Sequence, residues 1–300
     1  MTNLSPKIIN SIITQNKFNI KKNLGQNFLW DENVLTKIVD FSGISDETTV
    51  LEIGPGLGAL TDHLLKKAKK VIAVEIDKSL CEILSKKYEN NDKFILIQGD
   101  FLKLTENIDD IDESHTMRPL QNIINNGEKL TCVANLPYYI TSPIIMRLLT
   151  LPFVDSLTVM VQKEVGDRIF AKPSTKDYGI LTLAIQYYST PIDKFFVSRN
   201  CFYPAPNVDS MVLKLNKNNN NNRYYNHIAN NSHDDFIFKV IRESFSQRRK
   251  KLINSLSSSG EIKKEAIKAS LEKMGFDENV RAENLTLDNY ITLSSLIDQM

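Results

Sequence analysis

From residue 48 to about residue 215 the chain alternates short β-branched runs with stretches of helical spacing, and this alternation restricts its fold more than any other feature. Residues 48–53, 71–75, 94–97 and 131–134 are apolar runs of strand length. Residues 57–69 and 79–88, between the first three, place apolar side chains at helical spacing and carry polar faces. Further strands are expected at 157–162, 195–198 and 208–215, with helices at 163–170 and 179–188 between them. About seven strands alternating with helices imply βαβ units, hence an α/β fold on a parallel, doubly wound sheet.

The remainder reads differently. Six asparagines occupy residues 216–222, and asparagine favours turns, so a linker or exposed loop is expected there. Beyond it no good strand pattern appears. Phe236, Val240, Ile241 and Phe245 sit at helical spacing, as do Ile262, Ala266, Ala269 and Lys273, with Ile267, Leu271 and Met274 beside them. Thr286 is positioned to cap a last helix bearing Tyr290, Leu293 and Ile297. At 300 residues the chain exceeds one small core, and the expected division is a sheet domain over 1–216, with a basic arm at 1–30, and a small all-helical domain over 217–300. Residues 105–130 read as a long polar insertion before the fourth strand.

Several classes fall away. No apolar run approaches the ~18–20 residues of a membrane span. The first thirty residues lack a long apolar core and a small-residue cleavage site, and no arginine precedes Arg118, so neither a secretory nor a mitochondrial leader is expected and the reading is cytosolic. Cys81, Cys132 and Cys201 are far apart and form no C-x-x-C pair, which argues against a disulfide scaffold and a cysteine-ligated zinc; no metal is expected. The net charge of +1 conceals an uneven distribution. Residues 1–30 carry Lys7, Lys17, Lys21 and Lys22 without an acid, and residues 239–251 carry six cations against Glu243. Such runs are either solvated helix faces or patches that attract polyanions.

Gly54-Pro55-Gly56-Leu57-Gly58 follows the first strand of the alternation and opens a helix. Glycines there allow a tight turn and close approach of backbone to a ligand. Glu75 ends the second strand twenty-one residues after Gly54, where a carboxylate can accept from both ribose hydroxyls of an adenosine. Asp100 ends the third, placed to accept from an adenine amine. Gly54, Gly56 and Ala59 also satisfy G-x-G-x-x-A, so these positions leave both NAD and S-adenosylmethionine open.

Asn135-Leu136-Pro137-Tyr138 follows the fourth strand and resembles the (N/D)-P-P-Y motif of methyltransferases that modify exocyclic amines. An adenine amine is a poor nucleophile because its lone pair is delocalised into the ring. The Asn135 side-chain oxygen and the Leu136 carbonyl can accept its two N–H groups and favour a pyramidal nitrogen. Pro137 stiffens the turn, and Tyr138 offers a ring on which the base can stack.

Together with Gly25-Gln26-Asn27-Phe28-Leu29, the segment 202–210 (Phe-Tyr-Pro-Ala-Pro-Asn-Val-Asp-Ser), Phe245-Ser246-Gln247-Arg248-Arg249-Lys250 and Arg281-Ala282-Glu283-Asn284-Leu285, these motifs resemble the ribosomal RNA adenine dimethyltransferase family over residues 18–297. The likeness favours its bacterial 16S rRNA branch. It implies a Rossmann-like methyltransferase domain, S-adenosylmethionine as cofactor, and two adjacent adenines in the 3′-terminal hairpin of 16S rRNA as substrate, in the small subunit or its precursor. Carried over by position, the cofactor contacts are Asn27, Leu29, Gly54, Glu75, Asp100 and Asn135, and the base-stacking rings are Tyr138 and Phe202. The helical domain is expected to bind RNA by shape and phosphate contacts, with Lys21, Lys22, Arg248, Arg249, Lys250 and Lys251 as the cations. The acidic stretch 105–116 and the asparagine tract are longer than the family's usual loops and are read as surface insertions. A 23S rRNA dimethyltransferase of the macrolide-resistance type shares the catalytic motifs. An NAD oxidoreductase would account for the glycines alone, and a non-catalytic ribosome assembly factor could use the same fold.

Overall fold

The strands are, in chain order, β1 (Phe28–Leu29), β2 (Thr49–Ile53), β3 (Lys70–Glu75), β4 (Phe94–Gln98), β5 (Leu130–Asn135), β6 (Val154–Gln162), β7 (Ser189–Val197), β8 (Phe202–Tyr203) and β9 (Ser210–Lys217). They belong to a computed structural model that describes residues 4–16, 18, 20–21, 25–106, 120, 125–218, 231–247 and 249–300. Seven of them form one sheet in the order β4-β3-β2-β5-β6-β9-β7. β2 is parallel to both β3 and β5, with Leu51 opposite Ile72 on one side and Cys132 on the other. Strands buried on both faces should read as continuous apolar runs, and β2 is buried at every position. Val50 and Leu51 are fully covered, each worth ~1.5–3 kcal/mol of burial.

The sheet differs from the all-parallel expectation at β9. β9 runs antiparallel to β6, with Leu157 opposite Leu215 and Met160 opposite Val212. A parallel return needs a helical crossover of about a dozen residues or more. The segment leading into β9 holds only a 3-10 turn (Arg199–Cys201) and β8.

The strand order reverses beside β2: the chain moves outward to β3 and β4, then returns to β5 on the other flank. In doubly wound sheets that reversal opens a crevice at the carboxyl ends of the strands. The segment that follows each of β2, β3, β4 and β5 therefore meets at one place.

Residues 1–30, expected as a basic arm, contain α1 (Pro6–Gln15), with Ser5 as N-cap and Pro6 in the first turn. Its Ile9 is fully buried in a cluster with Leu4, Phe18 and Phe28. α2 (Glu32–Ser42) is capped by Asp31 and ended by Gly43. With α3 (Ala59–Lys67) it packs Leu35, Ile38, Leu60 and Leu64 into a core shared with Val50, Val71 and Val133 of the sheet. α4 (Lys78–Lys87) lies against β3 and β4, followed by α5 (Phe101–Thr105); α6 (Thr141–Thr150) lies against β6. The acidic residues between 107 and 116, and 219–222 of the asparagine tract, fall outside the described residues. Asn216 belongs to β9, and Asn218 is buried, accepting from Thr190 Oγ1 at 2.9 Å.

The chain divides into two compact units, Met1–Gly166 with Pro191–Lys217, and Asp167–Thr190 with Asn218–Met300. The second takes in Asp167–Thr190, a stretch the sequence pattern attached to the sheet. α7 (Lys163–Ile169) leads into it, and α8 (Ile180–Tyr188) buries Leu183 and Tyr187 in the core formed by Ile237, Val240, Ile241 and Tyr290. Periodicity identifies an amphipathic helix without saying which core receives its apolar face. The remaining helices are α9 (Asn231–Ser244), α10 (Leu252–Leu256), α11 (Lys264–Lys273) and α12 (Leu287–Asp298). α11 buries Ile267, Ser270 and Leu271, whereas Ala269 and Lys273 are exposed, so its inner face is rotated from one of the two expected sets. Thr286 does cap α12, accepting from Asn289 N, and Tyr290, Leu293 and Ile297 are buried.

Candidate active site

The turn after β2 is built on backbone that L-residues resist. Gly54 has φ +69°, and a Cβ there would lie 3.9 Å from Pro137 Cδ and 4.0 Å from the Asn135 carbonyl oxygen. The glycine loop thus faces the turn after β5 directly. Gly56 has φ +60°, and a Cβ on it would come within 3.2 Å of the Phe28 ring.

Glu75 is 5% exposed, and its oxygens accept from the Gly56 amide at 3.2 Å and the Asp77 amide at 2.9 Å. Burial pushes its carboxyl up to about 7, against the pull of those amides. Glu52, inside β2, is more enclosed still, with the Thr61 hydroxyl donating to it at 2.6 Å, and burial raises it to about 8. Asp100 caps α5 by accepting from Leu102 N at 3.0 Å.

After β5 the backbone turns at Pro137 into a short 3-10 turn over Tyr138–Ile140. Thr141 Oγ1 ties that turn by donating to Pro137 O at 3.0 Å. The Leu136 amide donates to Met160 O at 3.1 Å, which anchors the motif to β6. The Tyr138 hydroxyl lies 2.5 Å from Ser210 Oγ on β9, and burial raises the phenol above its usual range.

One cleft is lined by Asn27, Leu29, Gly54, Glu75, Asp100, Asn135, Leu136 and Tyr138, all singled out from sequence. Asn27 also closes its own turn, donating from Nδ2 to Gly25 O at 2.9 Å. Phe202 is the exception. It pairs with Leu29 in the β1–β8 ribbon, is 3% exposed, and packs with Leu29, Val197 and Val212, so it is a core residue and not a ring offered to the cleft. Lys21 is also placed otherwise than expected: its ammonium donates to Asp77 Oδ1 at 2.9 Å. Arg249, Lys250 and Lys251 are exposed in the helical unit; Lys22 and Arg248 lie outside the described residues. Sequence reasoning missed Glu52 and Tyr139, which also line the cleft. A carboxylate embedded in an apolar strand, and a second aromatic beside Tyr138, were the available signals.

Among the described residues no group of side chains could hold a metal ion, and no helix is long and apolar enough to cross a membrane.

A sheet with this strand order, a glycine turn and acidic strand ends at its switch point, and an N-x-P-Y turn facing them together define a Rossmann-like methyltransferase. Residues 17–299 match the family described as ribosomal RNA adenine dimethylase, and the chain belongs to that family. It is 42% identical over 295 residues to the ribosomal RNA small subunit methyltransferase A of Anoxybacillus flavithermus, covering 97% of this chain and 94% of the relative. The enzyme of the same description from Geobacillus thermodenitrificans is 43% identical over 298 residues, 98% of this chain and 96% of its own. A crystal structure of a dimethyladenosine transferase from Plasmodium falciparum superposes with a TM-score of 0.66 at 26% identity, covering 88% of this chain and 94% of that one. The 23S rRNA methyltransferase ErmE shares the fold, with a TM-score of 0.63 at 23% identity over 91% of this chain and 100% of its own. Family membership selects methyl transfer over the hydride chemistry that the glycine pattern had left open.

Proposed function

We propose that this protein transfers methyl groups from S-adenosylmethionine to the exocyclic amines of two adjacent adenines in the 3′-terminal hairpin of 16S rRNA, within the small subunit or its precursor. The observation that carries the reading is the convergence of Asn135, Leu136 and Tyr138 with Glu75 and Asp100 on one cleft.

The donors and acceptors of the cleft suit that cofactor. Glu75 retains acceptor capacity for the two hydroxyls of a ribose, Asp100 for an adenine amine, and the glycine turn lets backbone approach without a side chain between. Asn27 and Leu29 close the cleft from the β1 side. When bound, S-adenosylmethionine supplies a methyl group made electrophilic by its sulfonium.

The chain supplies position. Asn135 Oδ1 and the Leu136 carbonyl accept the two N–H groups of the target amine and turn its lone pair out of the base plane. Tyr138, held at its hydroxyl by Ser210, presents a ring that stacks on the extruded base, a contact worth ~1–3 kcal/mol against the cost of unstacking. No strong base is required, because the alkylated nitrogen is acidic and releases its proton to water. Alignment of this kind can supply ~7–11 kcal/mol of barrier lowering. In the helical unit, exposed Arg249, Lys250 and Lys251 contact RNA phosphates, along with Lys22 and Arg248.

Identities of 42–43% to relatives described as small subunit methyltransferases, against 23% to the 23S enzyme, support the small subunit as target. Methyl transfer from labelled S-adenosylmethionine to undermethylated small subunits, with naked rRNA and large subunits as controls, tests it. Label confined to two adjacent adenines near the 3′ end of 16S rRNA is expected; label in the large subunit would refute the assignment.

A further inference from the structure

Asp77 follows Glu75 by two residues and is 1% exposed, yet it does not line the cleft. Its Oδ1 accepts from Ser79 N at 3.0 Å and so caps α4. A cap needs one acceptor, and serine or asparagine would serve as well. The other bonds of this carboxylate reach far back along the chain. Lys21 Nζ donates to Oδ1 at 2.9 Å and Gln26 Nε2 to Oδ2 at 2.8 Å, while Gln26 Oε1 accepts from the Lys21 amide at 2.7 Å. On its backbone side, Asp77 N donates to Glu75 Oε1 at 2.9 Å. Burial opposes charge on Asp77, but the bonds from Lys21, Gln26 and Ser79 outweigh it and hold the carboxyl below the usual range.

Segment 25–29, which includes the anchor Gln26, contributes every one of its residues to the cleft wall. Its Gly25 also abuts the turn after β5: a Cβ there would lie 3.6 Å from the ring of Tyr139, which is 51% exposed at the cleft. Asp77 therefore joins three parts of the site, none of which adjoins another in sequence except through it. Those parts are the wall at 25–29, the carboxylate of Glu75 and the start of α4.

We infer that Asp77 is a positioning residue, a latch that holds Lys21 and the wall at 25–29 against the cleft and orients Glu75, and that it governs cofactor affinity without touching the cofactor. The inference rests on the proposal that this cleft takes S-adenosylmethionine. Charge-assisted bonds from Lys21 make the latch stronger than a neutral cap and give the two anchors a shared dependence on one carboxylate.

The test is calorimetric titration of the full-length protein with S-adenosylmethionine, using Asp77→Asn and Lys21→Met. Asp77→Asn keeps an oxygen for Ser79 N but removes the charge that Lys21 pairs with and presents an amide to the Gln26 amide, breaking one arm of the latch, weakening the other and sparing the cap. Lys21→Met cuts it from the other end and alters no residue of the cleft wall. Each variant is expected to raise Kd about tenfold (~1.4 kcal/mol), and the double variant little further, because both sever one connection. In turnover, Asp77→Asn shows the loss in KM for the cofactor, with kcat at saturation kept within about twofold. Wild-type affinity in Lys21→Met, or losses that simply add, would reduce Asp77 to a helix cap and overturn the inference. If the wild-type protein itself bound no S-adenosylmethionine, the cofactor assignment would fail on its own. The latch is then decided by hydrogen exchange in the free protein: faster exchange of amides 25–29 in Asp77→Asn upholds it, and unchanged exchange removes it.

Discussion

The hydroxyl of Tyr138 and the hydroxyl of Ser210 lie 2.5 Å apart, joining two segments separated by 72 residues of chain. Ser210 is fully buried at the start of β9, so the pair fixes the orientation of the Tyr138 ring from the far side of β6. Tyr138→Phe keeps the ring but strands the serine hydroxyl, at ~1–3 kcal/mol if nothing replaces the bond. The expected outcome is a modest fall in thermal stability and a several-fold fall in kcat, with Tyr138→Ala losing ~10²-fold or more in steady-state methylation. Equal kcat in the alanine variant would show that the ring does not hold the base.

Asn135→Ala separates alignment from cofactor binding. On the proposed reading its side-chain carbonyl accepts from the target amine and makes only one of many cofactor contacts. Turnover should drop by ~10²–10³-fold while the Kd for S-adenosylmethionine changes severalfold at most. Single-turnover kinetics beside calorimetry measures both. Comparable losses in the two would defeat the catalytic role.

The buried carboxylates set a pH dependence. Glu75 titrates near 7 and Glu52 near 8, above an ordinary value of 4.5, because burial disfavours their charge. An acid with a raised folded value holds its proton more tightly when folded. The stability it contributes is full below 4.5 and is lost as the pH rises to about 7 for Glu75 and about 8 for Glu52. The melting temperature of the ligand-free protein should therefore fall over that interval, and less so in Glu52→Gln. In the proposed complex ribose hydroxyls donate to the ionised form of Glu75, so cofactor affinity should climb with pH to about 7 and then level off, with proton release on binding below that point. Calorimetry in buffers of differing ionisation enthalpy reads the proton directly, and a flat profile without release would contradict this.

Phe202 separates a core role from a substrate role. Its ring packs among Leu29, Val197 and Val212, so Phe202→Ala should cost ~3–5 kcal/mol of folding stability in urea denaturation. Wild-type stability with a loss confined to RNA affinity would instead make it a stacking ring.

The exposed cations of the helical unit can be tested by charge reversal. Replacing Arg249 and Lys250 with Glu should weaken binding of small subunits and flatten its salt dependence, by about one unit of slope for each phosphate left without its cation. An unchanged slope would remove both from the interface.

Much of this architecture was legible in sequence because strand and helix periods differ and the site sits where strands end. Gly54, Glu75, Asp100 and Asn135 each follow or close an apolar run, so recognising the runs located the residues. Direction and partnership were not encoded so locally. Nothing in Phe202 shows which side of a two-residue strand its ring takes, and nothing in the lysine run at 21–22 shows that Asp77, 56 residues after Lys21, receives one of its charges. The helices before residue 48 left capping signals, Ser5-Pro6 and Asp31 with Gly43, that a reading based on charge passed over. In α11 the small apolar side chains of Ala266 and Ala269 gave a weak stripe, and the bulkier Ile267 and Leu271 took the core.

The most direct measurement is a crystal structure of the protein with S-adenosylhomocysteine and adenosine monophosphate. The expected density puts the adenine amine about 3 Å from Asn135 Oδ1 and from the Leu136 carbonyl, with Tyr138 stacked on the ring and Glu75 on the ribose of the cofactor product. Density with Asn135 turned from the sulfur and the purine shut out of the cleft would contradict the account at its centre.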